Sequence, residues 1–91
     1  MIKMYLKDND LDTNTYLKLR KSVNWKPLTE KQAEKAIENS ILTLVAYDEG
    51  KPIGMGRIVG DGAVICYIQD LIVIPEYQGR GVGQMLMESL I

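Results

Sequence analysis

The sequence predicts an α/β fold of the α+β type, built on a mainly antiparallel sheet with a helix after its last strand. Segments 41–47, 53–60 and 63–74 are apolar, rich in strand-forming residues and separated by the turn sequences "DEGKP" and "DG". A first alternating segment and two helical patterns precede them, and a third helical pattern follows. The predicted order is therefore β-α-α-β-β-β-α, in a single domain over residues 1–91.

The first two elements follow from local periodicity. Apolar and polar residues alternate over residues 2–7, which is the pattern of a half-buried strand. Asn9 or Asp10 is expected to cap the first helix. Its apolar face has helical spacing: Tyr16, Leu19 and Val23.

The other two helices have clearer start signals. Thr29 and Gln32 have the spacing of a capping box, and this second helix is expected to end near Asn39. The last helix is expected to begin at a glycine-rich turn and to be still running at Ile91. Val82, Met85, Leu86, Ser89 and Leu90 are spaced as one face of this helix. The third strand before it, 63–74, is apolar on both alternating faces, which is typical of a central strand covered on both sides.

Composition excludes several classes of function. The chain has no histidine, so Ser-His-Asp and Cys-His relays and the usual zinc sites are excluded, and no metal site is predicted. A net charge of -1 argues against nucleic acid or an acidic membrane surface as a partner. The single cysteine, Cys66, and the lack of a signal peptide or membrane-spanning run indicate a soluble protein of the cytoplasm.

The stretch "PEYQGRGVGQML", residues 75–86, follows an apolar strand and opens a helix. Strand, small-residue loop and helix N-terminus form an arrangement that binds phosphate through unpaired amides. The dinucleotide pattern G-x-G-x-x-G fails because Gln84 stands where the third glycine is needed, and the chain has no Gly-Lys pair for a P-loop. The alternative is that the glycines only allow the chain to turn and bind no ligand.

Residues 78–83, "QGRGVG", fit a different pattern, [QR]-x-x-G-x-[GA]. With this motif the sequence resembles the GCN5-related N-acetyltransferase family over residues 67–90 and, less specifically, over 19–25 and 45–62. The resemblance implies an acyl-CoA N-acyltransferase-like fold. It also implies acetyl-CoA-dependent transfer of an acetyl group to a primary amine of a small molecule or peptide, by direct attack on the thioester.

The resemblance also assigns coenzyme contacts. The backbone of three strand residues would bind the pantetheine arm, the loop amides from Gly79 to Gln84 would hold the pyrophosphate, and the amide of Val73 would polarise the thioester carbonyl. The residues expected to bind acetyl-CoA are Leu71, Ile72, Val73, Gln78, Gly79, Arg80, Gly81, Val82, Gly83 and Gln84.

Asp70 is the candidate catalytic base, because it lies on the more apolar alternation of its strand and burial would raise its pKa. The alternative is a structural Asp70 with water as the proton acceptor. Arg20 and Trp25 are expected on the acceptor side, although solvation or a structural ion pair explains an arginine equally well. Arg57 has the same ambiguity.

The family fold continues after the last helix with a further strand, a helix and usually a hairpin, and the sequence lacks a counterpart. Segment 63–74 would then lie at the edge of the sheet, and exposed edges recruit other strands. We therefore expect a homodimer or larger assembly through this edge or the last helix, unless the chain is a fragment. The alternative to an enzyme is a non-catalytic module that binds CoA or associates.

Overall fold

The computed structural model describes residues 4–90. The elements are β1 (Met4–Asp8), α1 (Thr13–Ser22), α2 (Glu30–Glu38), β2 (Leu42–Asp48), β3 (Lys51–Gly60), β4 (Cys66–Val73), a 3₁₀ turn (Pro75–Tyr77) and α3 (Val82–Leu90). This order confirms the predicted β-α-α-β-β-β-α. Parts of two predictions, the first strand before Met4 and the helix at Ile91, lie outside the described residues.

The four strands form one antiparallel sheet in the order β1-β2-β3-β4. β4 lies at the edge, and within residues 4–90 no strand pairs with its outer side. Val64, just before β4, is 90% exposed and Tyr67 is 60% exposed. The expectation of a central strand is therefore wrong, because β4 is an edge strand. The expected cover on both sides is also missing from the first half of the segment, where no described residue packs over Val64 or Tyr67.

The helices lie on both faces of the sheet. The core buries Tyr16 and Leu19 of α1, Ala33 of α2, Val82, Leu86 and Leu90 of α3, and Leu44, Val45, Ala46, Ile53, Met55 and Ile72 of the strands. Fully burying a large side chain of this kind stabilises a fold by about 1.5–3 kcal/mol. Among the described residues, no helix has the length and apolar character that a bilayer crossing requires.

Two glycines of β3 set how closely α3 approaches the sheet. A Cβ at Gly54 would lie 2.9 Å from the carbonyl oxygen of Ile72 and 3.2 Å from Cδ1 of Leu86. A Cβ at Gly56 would lie 2.6 Å from Cδ1 of Leu90. Side chains alternate along a strand, so Met55 and Arg57 project to the opposite face, where α1 and α2 pack.

The cap of α1 differs from the prediction. Asp12 is the N-cap, and its Oδ1 accepts from the Thr15 amide at 2.7 Å. Asn9 instead has a left-handed φ of +54°, and its side chain accepts from the Thr43 amide at 3.2 Å. The predicted cap at Asn9 or Asp10 is therefore wrong, because Asn9 joins β1 to β2 rather than starting the helix.

The starts of α2 and α3 are confirmed. The Gln32 amide donates to Oγ1 of Thr29 and the Thr29 amide donates to Oε1 of Gln32, which completes the capping box, and Asn39 is the C-cap. The first helical bond of α3 runs from the Met85 amide to the Gly81 carbonyl at 3.0 Å. α3 therefore begins at the glycine turn.

The contacts of the two β3 glycines predict different costs for alanine. Gly54→Ala should destabilise the protein by about 1–3 kcal/mol, because the Ile72 carbonyl is backbone and cannot move aside. Gly56→Ala should cost clearly less, since the nearest atom is the end of a flexible leucine side chain. Urea unfolding of both variants measures the difference. An equal or smaller cost for Gly54→Ala would contradict this packing.

Candidate functional site

The loop between β4 and α3 contains two glycines that need their conformational freedom. Gly79 and Gly81 have φ values of +81° and +83°, a region that glycine adopts without steric cost. A Cβ at either position would meet nothing within 4 Å. The requirement is therefore conformational, and the space in front of the loop is open.

This loop presents unpaired amides to that open space. Among the described residues, no backbone or side-chain acceptor takes a hydrogen bond from the amides of residues 79–84. Three of these amides belong to the first turn of α3, where the helix dipole adds partial positive charge. Consecutive free amides at a helix N-terminus can bind a phosphate group.

Contacts with the β2–β3 hairpin and with β4 hold the loop in place. The Tyr77 hydroxyl donates to Oδ2 of Asp48 at 2.5 Å, and this bond raises the pKa of Tyr77. The Arg80 guanidinium lies 5.1 Å from the centre of the Tyr77 ring. The Gln78 side chain donates from Nε2 to the carbonyl oxygen of Val73 at 2.9 Å. Gln78, predicted to bind the coenzyme, thus directs its side chain back to the strand.

The edge of β4 presents the backbone of Val73. The Ile74 amide donates to the Ile53 carbonyl on β3 at 2.9 Å. Backbone groups of successive residues alternate in direction, so the N–H and C=O of Val73 point away from β3. The carbonyl accepts from Gln78, which leaves the N–H of Val73 free at the edge.

A β-bulge interrupts β4 just before this point. Between two regular pairs of the β3–β4 ladder, β3 contributes Gly56 alone, whereas β4 contributes Asp70 and Leu71. Asp70 has a left-handed φ of +53°. This conformation costs a non-glycine residue on the order of 1 kcal/mol or more, so the surrounding contacts must maintain it.

Three donors hold the Asp70 carboxylate. Oδ2 accepts from the Tyr16 hydroxyl at 2.5 Å and from Nε of Arg57 at 2.6 Å, and Oδ1 accepts from Nη1 of Arg20 at 3.0 Å. We call these four residues the Asp70 cluster. The Asp70 side chain is 10% exposed, and the two arginine side chains are 14% and 16% exposed. The cluster thus joins α1, β3 and β4 in a partly buried ion-pair network.

Arg57 extends this network to α2. Its Nη1 donates to Oγ of Ser40 at 3.2 Å and to the Ala36 carbonyl at 3.4 Å. Burial and the bond to Asp70 raise the pKa of Tyr16, so the tyrosine keeps its proton. Two guanidinium groups face one carboxylate, which leaves the cluster one net positive charge.

These contacts help to decide whether Asp70 is a catalytic base or a structural residue. A general base needs an oxygen lone pair free to take the substrate's proton. Both oxygens of Asp70 already accept bonds, one of them from two donors, so the contacts favour the structural alternative. The catalytic role of Asp70 stays a prediction that the structure does not support.

Arg20 and Trp25 come together at the end of α1. The Arg20 guanidinium lies 5.3 Å from the centre of the Trp25 ring, and its Nη2 donates to the Lys26 carbonyl at 2.8 Å. Both side chains line a cavity of about 490 Å³ between α1 and the following loop. The structural ion pair that the sequence left open for Arg20 is present, while a role in acceptor binding stays a prediction.

Sequence reasoning missed two features. Tyr16 was assigned only to an apolar helix face, and its hydroxyl partner lies 54 positions away in the sequence. Arg57 and Asp70, opposite charges within neighbouring apolar strands, were a signal that could have predicted their pairing. The second missed feature is a cavity of about 630 Å³ between α1, the start of β3 and Ile74, which residues from separate segments enclose.

The Asp70 cluster predicts a pH-dependent stabilisation by Tyr16. Tyr16→Phe should lower the free energy of unfolding by about 2 kcal/mol at neutral pH, because a bond to a carboxylate is lost. The raised pKa of Tyr16 means that this stabilisation is complete below the unfolded value of about 10 and is lost as the pH rises through the folded value. Urea unfolding from pH 7 upward measures the difference between the two proteins. A difference that stays constant at alkaline pH would contradict this stabilisation by the bond between Tyr16 and Asp70.

Known proteins resemble this chain in sequence and fold. "Uncharacterized N-acetyltransferase ycf52" of Gracilaria tenuistipitata var. liui is 32% identical over 96 residues, covering all of this chain and 53% of the relative. Protein SA2161 of meticillin-resistant Staphylococcus aureus, described as a probable acetyltransferase, has a TM-score of 0.85 and 34% identity, over 99% of this chain and 66% of that one.

A third protein shares the fold at lower sequence identity. Aminoglycoside N-acetyltransferase AAC(6')-Iy, solved in complex with CoA, has a TM-score of 0.77 and 16% identity, over 99% of this chain and 68% of that one.

The present chain spans about half the length of the ycf52 relative from Gracilaria. The sequence model of the acetyltransferase (GNAT) family matches residues 8–91. The chain therefore belongs to the GNAT acetyltransferase family.

Proposed function

We propose that this chain forms the acetyl-CoA site of an N-acetyltransferase that acts on a primary amine of a small molecule or peptide. The observation that carries the proposal is the row of free amides from Gly79 to Gln84, beside a strand edge that presents the N–H of Val73. Membership of the acetyltransferase family supports it. When bound, acetyl-CoA supplies the acetyl group as a thioester.

The loop fits a pyrophosphate in charge and in shape. Its amides and the α3 dipole favour negative charge, and no side chain at Gly79 or Gly81 stands between backbone and ligand. A Cβ at Gly83 would meet only Cγ2 of Val73, at an ordinary contact distance of 3.8 Å. The protein's own packing therefore does not require glycine there, and close approach of a ligand does explain it. Arg80, exposed beside Tyr77, adds positive charge at the rim.

The strand edge defines the second half of the coenzyme site. Leu71 to Val73 would pair with the pantetheine arm, but Gln78 already occupies the carbonyl of Val73. The remaining N–H of Val73 can then donate to the thioester carbonyl oxygen. Negative charge develops on that oxygen during amine attack, so a donor fixed by the sheet lowers the barrier.

The cavity of about 630 Å³ beside Ile74 is the best candidate for the acceptor, because it adjoins Val73 along the chain. Lys18, Lys51 and Glu76 line it together with apolar side chains. An alkylammonium group with a pKa of about 10.4 must lose a proton before attack. Glu76 is the carboxylate of this lining, whereas Asp70 is held by its partners. Glu76, or a water molecule beside it, would therefore take this proton.

A second candidate function is a CoA-binding module whose role is association. The observation in its favour is the β4 edge, which no strand in residues 4–90 covers, together with the exposed side chains of Val64, Ile65 and Tyr67. Edges of this kind recruit further strands. A homodimer through this edge or through α3 belongs to this candidate and stays a prediction.

Thermal unfolding in the presence of CoA and acetyl-CoA tests the coenzyme site. The melting temperature should rise with ligand concentration, because ligand binds only the folded state. Gly81→Ala should weaken binding about tenfold, since an L-residue at φ +83° displaces the amides. Gly62→Ala is the matched control. It has a φ of +78° and equally open space but lies in the β3–β4 turn, so it should bind like the wild type.

Thiol release with a panel of amines then separates the two candidates. Saturable binding of acetyl-CoA with amine-dependent release of CoA supports the enzyme. Binding without release above background would contradict catalysis by this chain and favour the module. No rise of melting temperature with either ligand would contradict both.

A further inference from the structure

We infer that Asp70 is a positioning residue: the Asp70 cluster holds the β4 bulge in the geometry that turns the N–H of Val73 to the open edge. This inference rests on the proposed function of Val73 but concerns a different set of residues. Asp70 itself touches neither the free amides of the loop nor the free N–H. It acts through the backbone that follows it.

The bulge decides which residue faces the edge. Gln69, before the bulge, pairs with Arg57, and Ile74, after it, donates to β3. Along a regular strand, the backbone N–H and C=O groups of successive residues point to alternate sides. Without a bulge, those of every odd-numbered residue after Gln69 would therefore point to β3. The extra residue of the bulge shifts this alternation by one position, so the N–H and C=O of Val73 point away from β3 instead. Without the bulge, the N–H of Val73 would point to β3, and the N–H of a residue next to it would face the open edge.

The cluster supplies what keeps this irregular backbone in place. Asp70 has a left-handed φ of +53°, a conformation that its own side chain does not enforce. Donors from two other elements, Tyr16 and Arg20 on α1 and Arg57 on β3, converge on its carboxylate. Arg57 in turn donates to Oγ of Ser40, just after α2, and to the Ala36 carbonyl within α2. Movement of the bulge would therefore break bonds to α1 and to β3 at once.

Asparagine is the informative replacement. Asp70→Asn keeps the size of the side chain, but its NH₂ group offers donors where Arg20 or Arg57 needs an acceptor. The charge that pairs two guanidinium groups is also lost. We therefore expect the bulge to relax in this variant, while the loop from Gly79 to Gln84 keeps its own contacts.

The test combines amide NMR with binding and turnover on the full chain. In Asp70→Asn, the amide resonances of Ile72, Val73 and Ile74 should shift, and exchange of the Ile74 amide should accelerate at least about tenfold. The Kd for CoA should change less than about threefold. At saturating acetyl-CoA, kcat should fall by up to about 10²-fold, because the donor is misplaced. Arg57→Ala should reproduce this pattern, and the double variant should add little to either single one.

Asp61→Asn is the matched control. Its carboxylate accepts hydrogen bonds from three backbone amides, those of Ala63, Val64 and Ile65. These residues lie in the β3–β4 turn, at the opposite end of β4 from Val73. This variant should leave the Val73 amide and kcat at wild-type values. Should Asp70→Asn not fold, Tyr16→Phe removes one of the three donors and should produce the same shifts at smaller size.

Two results would overturn the inference. One is a fall in kcat with unchanged amide resonances at 72–74 and loss of the acidic limb of the pH–rate profile, which would make Asp70 the base. The other is a lower melting temperature with unchanged resonances and unchanged kcat per folded molecule, which would make the cluster merely structural. If the wild type binds no CoA, the proposed function fails, and the amide measurements alone decide the inference.

Discussion

The ion-pair network around Asp70 is the interaction on which this structure depends most. Burying three charged side chains is costly, and their pairing offsets that cost. Within the described residues, Nε of Arg20 is the one buried side-chain donor that has no partner. The network therefore couples the position of α1, through Tyr16 and Arg20, to the irregular backbone of β4. A helix layer and a sheet edge far apart in sequence are fixed relative to each other by one carboxylate.

Glycines are needed near this network for two different physical reasons. Gly54 and Gly56 are needed for space, because α3 packs directly against the backbone of β3. Gly79 and Gly81 are needed for conformation, because the loop takes a left-handed path in open surroundings. Close packing brings the N-terminus of α3 beside the end of β4, and the loop then aims its free amides outward. The candidate coenzyme site depends on both.

Local signals predicted the fold well, and long-range contacts account for most of what they missed. The Thr29–Gln32 capping box, the hairpin turns and the helix after the glycines each depend on neighbouring residues, and all are present. The Asp12 cap was missed because the role of Asn9 depends on Thr43, which lies on another strand. Opposite charges on neighbouring strands could have suggested the Asp70–Arg57 pair, but the Tyr16 and Arg20 partners of Asp70 lie on a helix about 50 positions earlier in the sequence. The motif at residues 78–83 identified the loop, whereas the cavity beside Ile74 needs segments that only the fold assembles.

The amides of residues 79–84 are proposed to bind the pyrophosphate of CoA. Titration of the ¹⁵N-labelled chain with CoA, with pantetheine as the ligand that lacks the pyrophosphate, tests this role. CoA should shift the amide resonances of residues 79–84 saturably, and pantetheine should leave them unchanged. Shifts scattered over the surface, or shifts equal for both ligands, would contradict it.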